Sequence, residues 1–226
     1  MCGRYTETKA RSVLTDHFGD YIEQSLLEDF RPRFNIAPGQ DAPVILNETV
    51  PVLKLVRWGL VPSWAKDEKT GYKMINARAE TLSAKPAYRK AFERRRCLVL
   101  ADGFYEWKKA GSVKMPHRFT VRDGEPFAFA GLWERWRKPD QTELRTFTII
   151  TTDPNPVVSA YHDRMPVILP RNDYERWLDP TFADAAELQR MLRPFTEKEM
   201  RVDAVSSVVN DSRNDNPQCV EPVDGR

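Results

Sequence analysis

The chain has 226 residues, of which 41% are hydrophobic and 30% are charged, with a formal net charge of +2 and a mean hydropathy of −0.59. This composition can build one sizeable core, but no apolar run approaches the ~20 residues that span a bilayer, and none marks a secretory signal. Three scattered cysteines exclude a disulfide framework or a Cys-x-x-Cys metal site, so a soluble cytoplasmic protein is expected. The low net charge argues against a strongly basic surface that coats nucleic acid, but the 35 lysines and arginines can still form a local cationic groove.

The chain opens with Met1-Cys2, and removal of Met1, which a small second residue permits, would make Cys2 the N-terminal residue. Cys2 would then carry an α-amine with a pKa near ~8 beside a thiol with a pKa near ~8.5, and both have a reactive fraction at neutral pH. Such a 1,2-aminothiol captures an aldehyde as a Schiff base and then closes a thiazolidine ring. The alternative is an ordinary cysteine on a frayed terminus.

The next segments predict helix and then loop. A short amphipathic helix is expected over residues 7–18 with Thr6 as its N-cap, followed by a helical turn around residues 22–27. Residues 31–40 contain two prolines, an asparagine and a glycine, which favour a loop. The Pro-Gly pair at 38–39 predicts a rigid turn within it.

Two β-rich runs, at residues 44–46 and 52–56, predict a hairpin. The segment that follows carries Trp58 and Trp64. Trp58 is expected in the core. Trp64 stands in a loop, where a core position and an exposed stacking platform for a nucleobase are equally consistent with the sequence.

Segment 74–80 is expected to be extended, which places Asn76, Arg78 and Glu80 on one face and small apolar residues on the other. An amide, a guanidinium and a carboxylate in a row suit a binding site. The ordinary alternative is a solvated strand face with a local Arg–Glu pair.

Glu106 lies between aromatic residues on a predicted strand, shortly after the buried apolar strand expected at residues 97–101. Carboxylates seldom occupy such apolar surroundings without a partner or a task. Desolvation would raise the pKa of Glu106 and suit it to proton transfer. The alternative is an edge-strand glutamate that points to water.

His162 precedes a buried strand together with Asp163 and Arg164, which makes it a better functional candidate than the other two histidines. Residue 172 and residue 196 are expected to cap helices. From residue 210 the chain is polar and is expected to be a loosely packed tail. The other expected elements are a basic helix at 83–95, strands at 116–122, 126–133, 145–152 and 203–209, and helices at 172–178, 183–192 and 196–200.

Six segments occur in a fixed order: MCGRY, FNIAPG, RWGLVPSWA, INARAET, ADGFYEWK and HDRMPVIL. With them the chain resembles the SRAP (SOS-response-associated peptidase) family from residue 2 to about residue 210. The resemblance implies an α+β fold, a single compact domain with a β-barrel-like core of mostly antiparallel strands and peripheral helices. It gives an SRAP domain at residues 2–210 and a polar C-terminal tail at 211–226.

The resemblance also implies an activity: sensing abasic sites in single-stranded DNA, including single-strand/duplex junctions, and forming a covalent thiazolidine crosslink through Cys2 that protects the site during the DNA damage response. A monomer near the bacterial nucleoid, without a metal or organic cofactor, is expected. The residues that match the family's catalytic positions are Cys2, Asn76, Glu106 and His162, and those that match its DNA contacts are Arg4, Pro38, Trp64, Arg78, Trp107, Thr151 and Arg164.

Two other functions stay open at this point. The first is a thiol peptidase or autoprocessing amidase, because Cys2, Glu106 and His162 could also serve acyl transfer. The second is a non-catalytic single-stranded DNA-binding module, in which the tryptophans and arginines suffice and Cys2 is incidental.

Overall fold

The structure, a computed structural model, describes residues 2–21, 30–111 and 113–223. Within these ranges the chain forms β-strands, α-helices and short 3₁₀ turns. The strands are β1 (Tyr5–Glu7), β2 (Arg33–Ile36), β3 (Asp41–Asn47), β4 (Pro51–Trp58), β5 (Asn76–Arg78), β6 (Arg96–Ala101), β7 (Gly103–Ala110), β8 (Val113–Val121), β9 (Phe127–Arg137), β10 (Glu143–Thr152), β11 (Met165–Pro166), β12 (Ile168–Leu169) and β13 (Met200–Ala204). The helices are α1 (Arg11–Phe18), α2 (Pro86–Arg94), α3 (Pro156–Ser159), α4 (Tyr174–Leu178) and α5 (Ala185–Met191).

The core is a closed five-stranded barrel. Strands β10, β4, β3, β6 and β9 are hydrogen-bonded in that order, and β9 also pairs with β10, which completes the ring. Every pair in the ring is antiparallel except β4 with β10. Closure removes the exposed edges of an open sheet and lets apolar side chains fill the interior. The expected α+β domain with a barrel-like core is confirmed.

A second sheet of five strands, in the order β13-β8-β7-β1-β2, packs beside the barrel. In it β1 pairs with β7, with Tyr5 opposite Phe104. The residues just before β1 are therefore held next to the strand that carries Glu106. This pairing is what builds the beginning of the chain into the protein.

The same pairing corrects two expectations for the first twenty residues. The predicted helix at 7–18 begins only at Arg11, and Thr6 is not its N-cap. Thr6 lies in β1, and its hydroxyl donates a 2.5 Å hydrogen bond to Asp102. Cross-strand pairing has overridden the local helical periodicity here. The helical turn predicted at 22–27 lies outside the described residues.

The predicted loop at 31–40 is partly wrong, because Arg33–Ile36 pair with β1 as strand β2. The turn at Pro38-Gly39 is confirmed, and Gly39 has a left-handed φ of 84°. A glycine adopts this conformation without the strain that a side chain would introduce.

After residue 170 the structure differs from the predicted caps and strand in smaller ways. Asn172 caps no α-helix, since it lies inside a 3₁₀ turn that precedes α4. Thr196 precedes a 3₁₀ turn at Glu197–Glu199 but makes no side-chain cap hydrogen bond. Strand β13 occupies Met200–Ala204, so the expected strand at 203–209 begins and ends earlier than predicted.

The segment after residue 210 is packed, which contradicts the loose tail expected there. Cys219 is fully buried, and Asp215 accepts hydrogen bonds from the backbone N–H groups of Phe34 and Asn35. The division at residue 210 into a domain and a tail stays a prediction. Among the described residues, no helix has the length and apolar character needed to cross a membrane.

Candidate functional site

A polar cleft of about 990 Å³ opens beside strand β7. Its walls come from parts of the chain that are distant in sequence: the beginning, β7, β8, the loop after α3 and the C-terminal segment. The residues that line it are Arg4, Glu106, Trp107, Lys108, Lys114, Ala160, Tyr161, His162, Asp163 and Asn210.

Cys2 is fully buried close to this cleft. Its carbonyl oxygen accepts a 2.8 Å hydrogen bond from Nδ2 of Asn76, and its Sγ lies 3.7 Å from the carbonyl oxygen of Arg4. Burial, and secondarily the negative charge of Glu106, raises the pKa of the Cys2 thiol far above its usual range. A frayed terminus is therefore wrong, and at neutral pH the thiol is protonated.

Asn76 is positioned by β5, which runs parallel to β10 with Asn76 opposite Ile149. One end of its amide is used to hold the Cys2 carbonyl, while Oδ1 is buried and accepts no hydrogen bond from the described residues. A buried acceptor without a donor is unfavourable. The Asn76 amide can therefore take a further N–H at the same place.

Glu106 is 5% exposed, so the interpretation of it as an edge-strand glutamate that points to water is wrong. Burial raises the pKa of its carboxyl group, and the neighbouring charge of His162 works in the opposite direction. A raised pKa makes a carboxylate a better proton acceptor, which suits Glu106 to proton transfer. The negative charge of Glu106 raises the pKa of the Cys2 thiol, and the charge of His162 lowers the pKa of Glu106.

The Nδ1 atom of His162 has two neighbours that require opposite protonation states. The backbone N–H of Arg164 donates to it at 3.0 Å, and the carboxylate of Asp163 lies 2.7 Å away. Accepting from Arg164 places the proton of a neutral ring on Nε2, whereas a ring with a proton on Nδ1 can donate to Asp163. The position of the ring proton thus decides which of the two contacts forms at the rim of the cleft.

The side chains expected to contact DNA fall into two groups. Trp64 is 65% exposed, which excludes the core position, Arg78 is exposed, and Pro38 and Trp107 are half-buried. The others are engaged within the protein. These are Arg4, bonded to Asn35 and Val209, Arg164, bonded to Glu80, Asp153 and Thr151, and Thr151, whose hydroxyl is fully buried.

The structure adds residues that sequence reasoning missed. Lys108 and Lys114 line the cleft, and Nζ of Lys108 lies 5.3 Å from the ring centroid of Tyr161. Asn210 lines it too, although it stands at the start of the presumed tail. A lysine two positions after Glu106 was the only available signal, because residues two apart on a strand share a face.

The fold and the site together define a small barrel protein whose first residues are built into a polar cleft. The sequence model of a family described as SOS response associated peptidase (SRAP) matches residues 1–212. The abasic site processing protein YoqW of Bacillus subtilis (strain 168) is 45% identical over 229 residues, covering 98% of this chain and 99% of that protein. The chain belongs to the SRAP family.

The chain is also similar to a more distant relative and to a solved structure. The abasic site processing protein HMCES of Gallus gallus is 34% identical over 228 residues, covering 86% of this chain and 67% of that protein. A crystal structure of a protein from Bacteroides thetaiotaomicron aligns with a TM-score of 0.87 at 26% identity, covering 98% of this chain and 100% of that one.

Proposed function

We propose that this chain processes abasic sites in single-stranded DNA by forming a covalent crosslink through Cys2. The observation that carries the proposal is the burial of Cys2 beside Glu106, with Asn76 bonded to its carbonyl. A ring-opened abasic deoxyribose exposes an aldehyde, and a 1,2-aminothiol is the group suited to capture it. The names of the curated relatives, abasic site processing proteins, support the same substrate.

The amine reacts first in the proposed sequence. The Cys2 α-amine, freed by removal of Met1, adds to the aldehyde carbon, and the carbinolamine loses water to give an imine. Glu106 supplies the proton that leaves with the hydroxyl group and receives the proton of the amine. The raised pKa of the thiol supports this order, since a protonated thiol is a poor nucleophile.

Ring closure follows when the Cys2 sulfur adds to the imine carbon. The thiol proton passes to the nitrogen, directly or through Glu106, so the thiazolidine forms without an oxidant or reductant. Asn76 orients the aminothiol through the Cys2 carbonyl and its own open Oδ1 acceptor. His162, at the rim, protonates the ring oxygen of the closed sugar and so assists its opening.

Cations around the cleft are proposed to hold the DNA backbone. Arg78 is exposed at the end of β5, and Lys108 and Lys114 line the cleft itself. Contacts between such groups and phosphates release counterions, so binding weakens as the salt concentration rises. The exposed indole of Trp64 provides a face on which a base can stack.

The thiol peptidase remains the second candidate, because the family description contains the word peptidase. Its sulfur nucleophile would have to be a thiolate, and burial of Cys2 disfavours that form. The aldehyde reaction does not have this requirement at its first step. The non-catalytic DNA-binding module differs from both in that no covalent product forms.

The first prediction tests the proposed function directly. Mixed with a single-stranded oligonucleotide that carries one abasic site, the protein should give a shifted band on a denaturing gel without any reductant. Intact-mass spectrometry should find Met1 absent, because an acylated nitrogen cannot form the imine. An oligonucleotide with a tetrahydrofuran analogue, which has no aldehyde, serves as the control, and a shifted band with this control would contradict the chemistry.

The second prediction concerns Arg164, whose guanidinium is bonded at 2.8 Å to Glu80 and at 2.9 Å to Asp153. Replacing Glu80 by glutamine removes one of the carboxylates that compete with a DNA phosphate. We expect single-strand affinity at low salt to rise about 2- to 5-fold, the range of a partly exposed ion pair. Fluorescence anisotropy measures this.

A matched control for this charge change is Glu187→Gln. Glu187 also pairs with arginines, Arg176 and Arg190, but lies on α5 away from the cleft. Its substitution should leave the affinity unchanged. Weaker binding by Glu80→Gln would mean that Glu80 orients Arg164 rather than competing for it.

A further inference from the structure

The indole of Trp107, which lines the cleft, packs against the buried cluster of Tyr105, Val205, Val209 and Cys219 and makes two further contacts. Its Nε1 donates a 2.7 Å hydrogen bond to Oδ1 of Asn210. The guanidinium carbon of Arg4 lies 6.0 Å from the ring centroid, within the range of a cation–π interaction. One edge and one face of the indole are thus occupied by the protein's own groups.

Asn210 is in turn held in place through its neighbours by a fully buried asparagine, Asn35. Nδ2 of Asn35 donates to the carbonyl oxygens of Val209 at 3.2 Å, Asp211 at 3.1 Å and Asn214 at 2.7 Å. Three backbone carbonyls around one buried amide fix the course of the chain on both sides of residue 210. The side chain of Asn210 is itself exposed, so its position depends on this backbone.

The hydrogen bonds around Asn35 also include Arg4, whose guanidinium lies over the indole of Trp107. Arg4 donates from one guanidinium nitrogen to Oδ1 of Asn35 at 2.7 Å and to the carbonyl of Val209 at 2.8 Å. Asp215 then fastens the segment to β2 by accepting from the backbone N–H of Phe34 at 2.5 Å and of Asn35 at 3.0 Å. The C-terminal segment therefore determines where both Arg4 and Trp107 stand.

We propose that Asn210 is a positioning residue that fixes the Trp107 indole as a stacking platform for a nucleobase beside the abasic nucleotide. A base that stacks on a ring free to rotate must also immobilise that ring, which costs affinity. A ring already pinned at Nε1 avoids this cost. The inference rests on the proposed function for its ligand, single-stranded DNA.

The test compares two oligonucleotides that cannot crosslink, because each carries a tetrahydrofuran analogue in place of the abasic sugar. In the first the flanking nucleotides have bases, and in the second they are tetrahydrofuran as well. Asn210→Ala should bind the first about 5-fold more weakly than the wild type, and the second within about 2-fold, since only stacking is impaired. Asn210→Asp, which keeps the acceptor for Nε1, should restore the preference for flanking bases.

Trp107→Phe provides the second arm, because it keeps an aromatic face but lacks the N–H group. If Asn210 acts through Trp107, the combined variant should be no weaker than either single variant. The matched control is Asn216→Ala, which removes a cap on Gln218 in the same segment and should not change the preference for flanking bases.

Equal weakening toward both oligonucleotides, or full additivity with Trp107→Phe, would overturn the role of Asn210. A wild type that binds both strands but gives no crosslink with aldehyde-bearing DNA would overturn only the proposed function. A wild type that binds neither strand but still crosslinks aldehyde-bearing DNA would overturn the stacking role and leave the proposed function standing.

Discussion

Replacement of Cys2 by alanine is expected to abolish the stable crosslink to abasic DNA, to less than about 1% of the wild-type yield, because no sulfur remains to trap the imine. The terminal amine survives in this variant once Met1 is removed. A Schiff base should therefore still form, and borohydride should still capture it. Denaturing gels run with and without borohydride measure both species.

The two gels separate the candidate functions. Loss of the band in Cys2→Ala, with recovery after borohydride, supports amine-first capture followed by thiazolidine closure. Cys97→Ala is the matched control, because Cys97 is also fully buried but lies inside the barrel on β6. A band that persists in Cys2→Ala without reductant would contradict the thiazolidine, and no band in the wild type would favour a non-catalytic binding module.

The unprotected imine has a second expected consequence. An imine at the abasic carbon acidifies the neighbouring C–H and promotes elimination of the 3′ phosphate. Cys2→Ala should therefore cleave the strand more than the wild type does. The protective effect of the wild type would then come from the speed of ring closure, since the thiazolidine has no imine left to eliminate.

Much of the site could be predicted from the sequence because its residues carry unusual local signals. Cys2 follows the initiator methionine, Glu106 stands among aromatic residues, and His162 adjoins two charged residues. These signals are local in the chain, and the barrel strands that support them alternate or run apolar as buried strands do. The barrel's existence followed from the family resemblance, whereas its closure through β9 and β10 depends on pairing that no local pattern specifies.

The wrong secondary-structure predictions have one physical cause. Where a segment has no strong local pattern, residues distant in sequence that pack or pair with it decide its structure. Thr6 was expected to cap a helix, but Asp102 lies within hydrogen-bonding distance only after β1 pairs with β7. Residues 33–36 have a loop-like composition, yet they form a strand because they pair with β1. The polar C-terminal segment lacks apolar periodicity, and its attachment depends on buried Asn35 and on Asp215 instead.

Glu106→Gln is expected to slow crosslinking about 10²- to 10³-fold, the usual loss when a positioned acid–base group is removed. Glutamine has nearly the same shape but cannot exchange protons, so salt-dependent DNA binding should stay nearly constant. Single-turnover gels at saturating protein measure the rate, and anisotropy measures the affinity. A parallel fall in both would assign Glu106 a structural role instead.

The same substitution should also stabilise the protein at neutral pH. Because burial raises its folded-state pKa, protonated Glu106 favours the folded state fully below the ordinary carboxyl pKa, and that advantage is lost as pH rises through the folded value. As pH rises, the wild type must therefore hold a buried carboxylate that glutamine avoids. The melting temperature of Glu106→Gln should exceed that of the wild type at pH 7, and the gap should shrink toward pH 4.

Glu7→Gln is the matched control, because burial also raises the pKa of Glu7, which does not line the cleft. It should shift stability in the same direction and leave the crosslinking rate unchanged. Protonation of the α-amine should slow both proteins as pH drops, and the wild type should lose additional rate as pH drops through the pKa of Glu106. The same additional fall in Glu106→Gln would assign the proton transfer to another group.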